Sequence, residues 1–121
     1  MIPDNISSAL VALLKQGERA SVVFKTGLKP SHNSPILWLA LTNLRVILFS
    51  SRHGGTVFRA VDHHEVNAVF TENGYKTIKL LFWDTTTPDL EFPVAADVDP
   101  VVVKDFSDQL SPRISKTPPA T

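Results

Sequence analysis

The sequence predicts a mainly β protein of the α+β class, with about seven short strands forming a barrel or sandwich and one helix at each end. Three observations carry this. Residues 36–51 hold the densest apolar sequence of the chain, broken by the polar pair Thr42-Asn43 and by Arg45. Its β-branched and aromatic members, with the polar pair where a tight turn would fall, favour a hairpin of residues 36–41 and 44–50 over one buried helix. Glycine turns at Gly54-Gly55 and Asn73-Gly74 separate runs of alternating polarity. Helix start signals stand near both ends, at Pro3-Asp4-Asn5 and Asp99-Pro100.

In the first helix the apolar residues Ile6, Leu10, Leu13 and Leu14 fall at i, i+4, i+7 and i+8, one stripe on one face. Asp4 or Asn5 is placed to accept hydrogen bonds from the free amides of the first turn, and Gly17 to end the helix in the left-handed conformation. The stripe predicts docking on the barrel or on a second chain. Residues 20–25 read as the first strand. Residues 26–35 read as a loop, because Gly27, Pro30, Ser31, Asn33, Ser34 and Pro35 cannot be woven into a central ladder.

After the hairpin, the Arg52-His53-Gly54-Gly55 turn leads to a strand over 56–60 that carries Val57 and Phe58. The strand over 65–71 sets Val66, Ala68 and Phe70 on one face. Asn73-Gly74 joins it to a strand over 75–83, in which Ile78, Leu80 and Phe82 alternate with Lys79 and Leu81. Residues 85–89 turn the chain into a last short strand over 90–94. Asp99 then caps a helix with Pro100 at its first position and Val102, Val103, Phe106 and Leu110 in a stripe, ending before Pro112. This helix is positioned to plug an end of the barrel, and Trp38, Leu48 and Phe106 are expected to be buried together. The predicted organisation is an amphipathic helix over 1–17, a barrel with its capping helix over 18–111, and a disordered tail over 112–121.

A chain of 121 residues fits one domain and buries about two-thirds of its unfolded surface without disulfide or metal staples. With no cysteine, thiol chemistry, disulfides and thiolate-bound zinc are excluded. Residues 1–8 carry no secretory signal, and the apolar run over 36–49 is too short to span a bilayer and contains Arg45. The expected location is cytoplasmic, with peripheral membrane attachment as the alternative. The net charge of zero divides unevenly: residues 1–60 hold seven bases and two acids, and residues 61–121 hold five bases and ten acids. The halves of a small barrel interleave in space, so these charges are expected to mix; the alternative is a basic patch facing an acidic partner surface or a phosphate.

The element order, with an apolar strand ending Leu41-Thr42-Asn43-Leu44-Arg45 followed by Val46-Ile47-Leu48-Phe49, resembles the bacterial pleckstrin-homology-like (PH-like) domain family of YokE-like and GRAM-related type. The Gly54-Gly55 turn, the Val57-Phe58 strand, the start Glu65-Val66-Asn67-Ala68-Val69, and Phe92 with the helix over 100–110 extend the resemblance to roughly residues 15–110. It implies a seven-stranded, partly open barrel with an N-terminal helix and a capping C-terminal helix. It also implies no enzymatic activity, but binding of lipids or proteins, or assembly. Phosphoinositide-binding relatives carry a lysine on the first strand and a Lys/Arg-x-Arg on the second. Lys25 matches the former, whereas Leu37-Trp38-Leu39-Ala40 supplies no base, so selective headgroup recognition is not expected.

Thr42 and Asn43 suit a turn that bonds its own backbone, and Arg45 is expected to brace it by tying a neighbouring loop's carbonyls or Glu65; a phosphate ligand is the alternative. Lys25, Lys29 and His32 around the 26–35 loop, with Arg45, make the candidate site for a weakly held anion or a protein partner. Asp62-His63-His64-Glu65 is the one cluster resembling a metal site. Adjacent strand residues point to opposite faces, so a solvated loop is the preferred reading and neither zinc nor iron is expected. No nucleophile elbow, Gly-rich loop or paired-carboxylate motif stands out, so no catalytic residue and no cofactor is assigned. Trp38, Phe49, Phe82 and Trp83 are not interleaved with bases, which with the balanced charge argues against nucleic acid. The resulting expectation is a non-catalytic module acting through a protein partner or self-association. Weak attachment to anionic lipid is the alternative, and a ligand-binding barrel or an enzyme without a recognisable motif comes third.

Overall fold

The computed structural model describes residues 2–29 and 31–114. Helix α1 (Asp4–Leu13) is followed by strands β1 (Ala20–Lys25), β2 (Trp38–Thr42), β3 (Arg45–Ser50), β4 (Thr56–Asp62), β5 (Val66–Glu72), β6 (Thr77–Phe82) and β7 (Leu90–Pro93), and then by helix α2 (Pro100–Leu110). The strands form two antiparallel sheets, β1-β2-β3-β4 and β5-β6-β7. The sheets meet along one side, where Thr26 bridges Val94, Gly27 N–H donates to the Pro93 carbonyl at 2.7 Å and Ala95 N–H to the Lys25 carbonyl at 3.1 Å. On the other side β4 and β5 each have a single strand neighbour, so the barrel is not closed. There Arg59, on β4, lays its guanidinium 4.6 Å from the centre of the Phe82 ring on β6.

Two apolar clusters explain the dense sequence of residues 36–51. The inner one joins Leu39, Leu41, Val46 and Leu48 of the first sheet to Ile78, Leu80 and Phe92 of the second, and α2 seals it with Val103, Phe106 and Leu110. Phe106 meets Phe24 edge-on at 5.7 Å between ring centres. The outer cluster sets Ile6, Ala9 and Leu10 of α1 against Ala40, Ile47 and Phe49. β2 and β3 are thus covered on both faces, which is why almost every one of their residues is apolar. The α1 stripe docks on its own sheet. Trp38 is only half-buried and packs beside the outer cluster, so it does not join Leu48 and Phe106 in the inner core.

Several local expectations are corrected. Pro3 occupies the N-cap position of α1 and no side chain caps the helix; Asp4 is its first residue, where a carboxylate still favours the helix dipole. The helix ends at Leu13 because Leu14 turns extended (φ −72°, ψ 142°), and Gly17 with φ +79° serves the following turn, closed by Glu18 N–H to the Lys15 carbonyl. In β5 the register slips between Val66 and Ala68, and this bulge moves Val69 onto the core-facing side and leaves Phe70 exposed. The β5–β6 connection spans four residues, with Asn73, Gly74 and Tyr75 all at positive φ. Tyr75 therefore belongs to the turn, and its contact with the inner core offsets the strain. The N-cap of α2 is as expected: Asp99 Oδ1 accepts from Val101 N–H at 3.0 Å. Of the expected disordered tail over 112–121, Pro112 and Arg113 belong to a 3-10 turn (Ser111–Arg113), and residues 115–121 lie outside the described residues.

Candidate functional site

The antiparallel order sorts the connections by end. The β1–β2 loop and the β3–β4 turn share one end of the first sheet; the β2–β3 turn and the β4–β5 connection share the other. The Thr42-Asn43-Leu44-Arg45 turn is built as a brace. Thr42 Oγ1 accepts from the amides of Leu44 (3.1 Å) and Arg45 (2.9 Å) and donates to Glu18 Oε2 at 2.6 Å. Asn43 Oδ1 accepts from Arg19 N–H at 2.7 Å, and its Nδ2 donates to the Gly17 carbonyl.

Arg45 grips Glu18 with both arms of its fork, Nε to Oε2 at 2.9 Å and Nη2 to Oε1 at 3.1 Å, and Nη2 also donates to the Leu13 carbonyl at the end of α1. Burial raises the Glu18 pKa; the bonds from Arg45, the Thr42 hydroxyl and the Lys15 amide outweigh it and lower the value to about 2. Arg45 is therefore engaged by Glu18 rather than Glu65, and its side chain is 11% exposed. Glu18 was missed in the sequence, although one signal pointed to it: it is the only acid among residues 5–61.

Near the same turn, Arg113 Nη1 donates to the Thr42 carbonyl at 2.9 Å. His63 lies beside it, with Nε2 buried and, among the described residues, without a hydrogen-bond partner. Burial lowers the His63 pKa, the nearby Arg113 lowers it further, and the Thr42 and Arg45 backbone and Asp62 only partly oppose them. The Asp62-His63-His64-Glu65 segment is a 3-10 turn over His63–Glu65, not a strand. It gathers Asp62, His64 and Glu65 with potential ligand atoms within 4.8 Å of one another.

The other sequence-predicted residues lie at the opposite end of the sheet. Lys25 is opposite Trp38 on β2, about 13 Å along the strand from the Arg45 turn, so the four candidates do not form one site. Lys25 Nζ is paired with Asp97 at 2.8 Å. Lys29 and His32 are exposed on a loop whose base is laced by Thr26 N–H to the Leu37 carbonyl (3.0 Å) and Leu37 N–H to the Leu28 carbonyl (2.9 Å). Across from them the β3–β4 turn exposes Arg52 and His53, and a cleft of about 250 Å³ between loop and turn is lined by Pro35, Leu37, Arg52, Val57 and Phe58. Val57 and Phe58 are 39% and 51% exposed. Arg52, His53 and Phe58 are read in the sequence as turn and strand residues and not as part of a site; the signal for Phe58 is the adjacent apolar pair in a strand that should alternate.

Apart from the Lys25–Asp97 pair, the charges of the two halves stay largely apart. Residues 20–61, which make all but the last residue of the four-stranded sheet, contain no acid. Among the described residues neither Lys29 nor Arg52 forms an ion pair. The acids gather on the three-stranded sheet, its connections and α2.

No protein-family model matches the chain, and no curated protein matches it. Among solved structures, the chain is similar to one in the crystal structure of the FERM and C-terminal domain complex of Drosophila Merlin, at 16% identity and a TM-score of 0.56, over 80% of this chain and 28% of that one. This chain thus spans little more than a quarter of that protein's chain. The likeness is one of fold, and the sheets of four and three strands with their flanking helices are consistent with a PH-like fold.

Proposed function

We propose that the chain is a non-catalytic PH-like binding module, of the bacterial type whose Leu-Thr-Asn-x-Arg turn it carries, acting through contact with an acidic protein surface. The observation that carries this reading is the segregation of charge. A sheet whose only acid is its last residue, Asp62, ends in loops that expose Lys29, His32, Arg52 and His53, beside a cleft with exposed Val57 and Phe58. An apolar cleft with Arg52 on its wall, between loops that expose Lys29, His32 and His53, fits a partner that offers apolar side chains among carboxylates. Arg45 has no part in this surface, because it lies at the opposite end of the sheet, held by Glu18 and the Leu13 carbonyl.

Comparative capture tests the reading. Proteins retained by the wild type from cells that produce it, and lost with Lys29→Glu/Arg52→Glu, are the expected result; identical retention by both forms would contradict it. The same exposed cations favour a second reading, attachment to anionic lipid. Each is worth about 1 kcal/mol near such a surface, so two lysine or arginine side chains give salt-sensitive, transient contact without headgroup selectivity. Vesicles with and without anionic lipid, at low and physiological salt, distinguish the two readings.

A further inference from the structure

We infer that β4 receives an extended segment of the partner as a fifth strand of the first sheet, and that this segment carries apolar residues followed by acidic ones. The inference rests on the protein-binding reading above and specifies its mode. Among the described residues β4 pairs with β3 alone, so one row of its amides and carbonyls has no strand partner there. Edge strands are commonly blunted by proline, lysine or a bulge; Thr56–Asp62 contains neither proline nor lysine, and its bulge interrupts the edge at Phe58 and leaves residues 59–62 regular.

The pairing of β3 with β4 slips between Leu48 and Phe49, so that Leu48 faces Arg59 and Phe49 faces Val57. Phe58 is the extra residue of this bulge and is turned toward solvent. An added strand therefore pairs along residues 59–62 and packs an apolar side chain on Phe58. Two hollows lie along the strand. One is the cleft at Arg52 and Phe58; the other, about 310 Å³, is lined by Arg59, Val61, Glu65, Phe82, Trp83 and Asp84 among others. Strand addition draws affinity from the main chain and specificity from such side-chain hollows.

Charge sets the polarity of the segment. Arg52 flanks the first hollow, while the second holds two acids, Glu65 and Asp84, against one base, Arg59, whose guanidinium lies on the Phe82 ring. An antiparallel guest, continuing the pattern of the sheet, reaches the Glu65 end first and the Arg52 end last, so its acids lie toward its C-terminus. A second copy of this chain fits poorly: paired antiparallel over residues 59–62 it sets Asp62 opposite Arg59, but its strand ends there in the 3-10 turn over His63–Glu65 and so does not run on past Phe58 to Arg52.

Selection from a phage library of random 12-residue peptides on the full chain, at low and physiological salt, tests the inference. The enriched peptides are expected to run from apolar to acidic. The strongest, made synthetically, should shift and protect the amides of residues 58–62 in nuclear magnetic resonance spectra. Methylating its alternate backbone amides should weaken binding at least tenfold, and Arg52→Glu should do the same. Equal affinity of the methylated peptide, or shifts confined to residues 26–37 and 52–55, would overturn strand addition while leaving the acidic-partner reading standing. Absence of any enriched peptide overturns the inference, and if capture is also insensitive to charge reversal the broader reading falls with it. A dimer in sedimentation whose residues 58–62 are protected without peptide would assign the edge to a second copy and overturn the partner.

Discussion

Glu18 is the only acid among residues 5–61, and its two oxygens collect Arg45, Thr42 and the Lys15 amide into one buried junction. Removing one member leaves an uncompensated buried charge, so Arg45→Ala or Glu18→Ala should cost about 3–5 kcal/mol in urea unfolding. Arg45→Lys should recover little, because an ammonium cannot span both Glu18 oxygens and the Leu13 carbonyl in that geometry. The folded-state pKa of Glu18 is lowered from 4.5 to about 2, so its contribution is full above pH 4.5 and fades as pH falls toward 2. The shift amounts to roughly 3 kcal/mol, and Glu18→Gln should flatten this acid limb. His63 acts in a higher window. Its folded-state pKa lies below 6.5, so the unfolded chain binds the proton more readily and stability declines as pH drops below 6.5. The groups facing it are Arg113, Asp62 and the backbone of Thr42 and Arg45; His63→Asn should remove this decline in thermal melts between pH 7 and 5.

At the scale of elements, α1 contributes through the sheet face it covers. Leu10 is 6% exposed, and Leu10→Ala should cost about 2–5 kcal/mol. Gly55 sets how closely the β3–β4 turn approaches the helix: a Cβ there would lie 2.9 Å from the Ala9 carbonyl oxygen, and its φ of +136° is one side chains rarely adopt. Gly55→Ala should therefore lower the melting temperature and loosen α1, seen as faster amide exchange in residues 6–13. Deleting residues 1–16 would bare Ala40, Ile47 and Phe49, and the truncated chain should aggregate or melt earlier; melting and sedimentation like the parent would show that α1 is dispensable.

Much of this layer was legible in the sequence, because seven strands and two helices follow from periodicity and turn chemistry. The first strand and the last helix fall where the pattern places them. Less legible were features that depend on tertiary partners. The bulge that flips Phe70 outward leaves no mark in an alternating pattern. Pro3 and Gly17 carry the right chemistry for helix ends, yet the helix stops where the chain must turn to bring Glu18 to Arg45. Nothing in the composition of residues 36–51 distinguishes a strand buried on one face from one buried on both until α1 is seen against it.

At the scale of the whole molecule, the order of charges along the chain becomes their arrangement in space, because the first sheet is made from residues 20–62 and the second from residues 66–93. Apart from the Lys25–Asp97 pair, the charges stay segregated because the strands of the two halves do not interleave; the sheets share an inner core and are joined by backbone bonds along the Thr26–Val94 side. The candidate site was half legible. Lys29 and His32 lie where the long loop placed them, but Arg45 is walled into the opposite end, and Arg52, His53 and Phe58 complete the surface in its place. The central claim is that this basic end and the neighbouring β4 edge are where the chain meets a protein. Site-specific photo-cross-linking in living cells tests it most directly, with a benzophenone amino acid in place of Phe58 and, as control, of Val101, another exposed apolar residue on α2. The predicted result is a discrete protein adduct from position 58, lost when Lys29 and Arg52 are reversed to Glu and absent from position 101. The same adducts from both positions, or lipid adducts alone at position 58, would contradict the account.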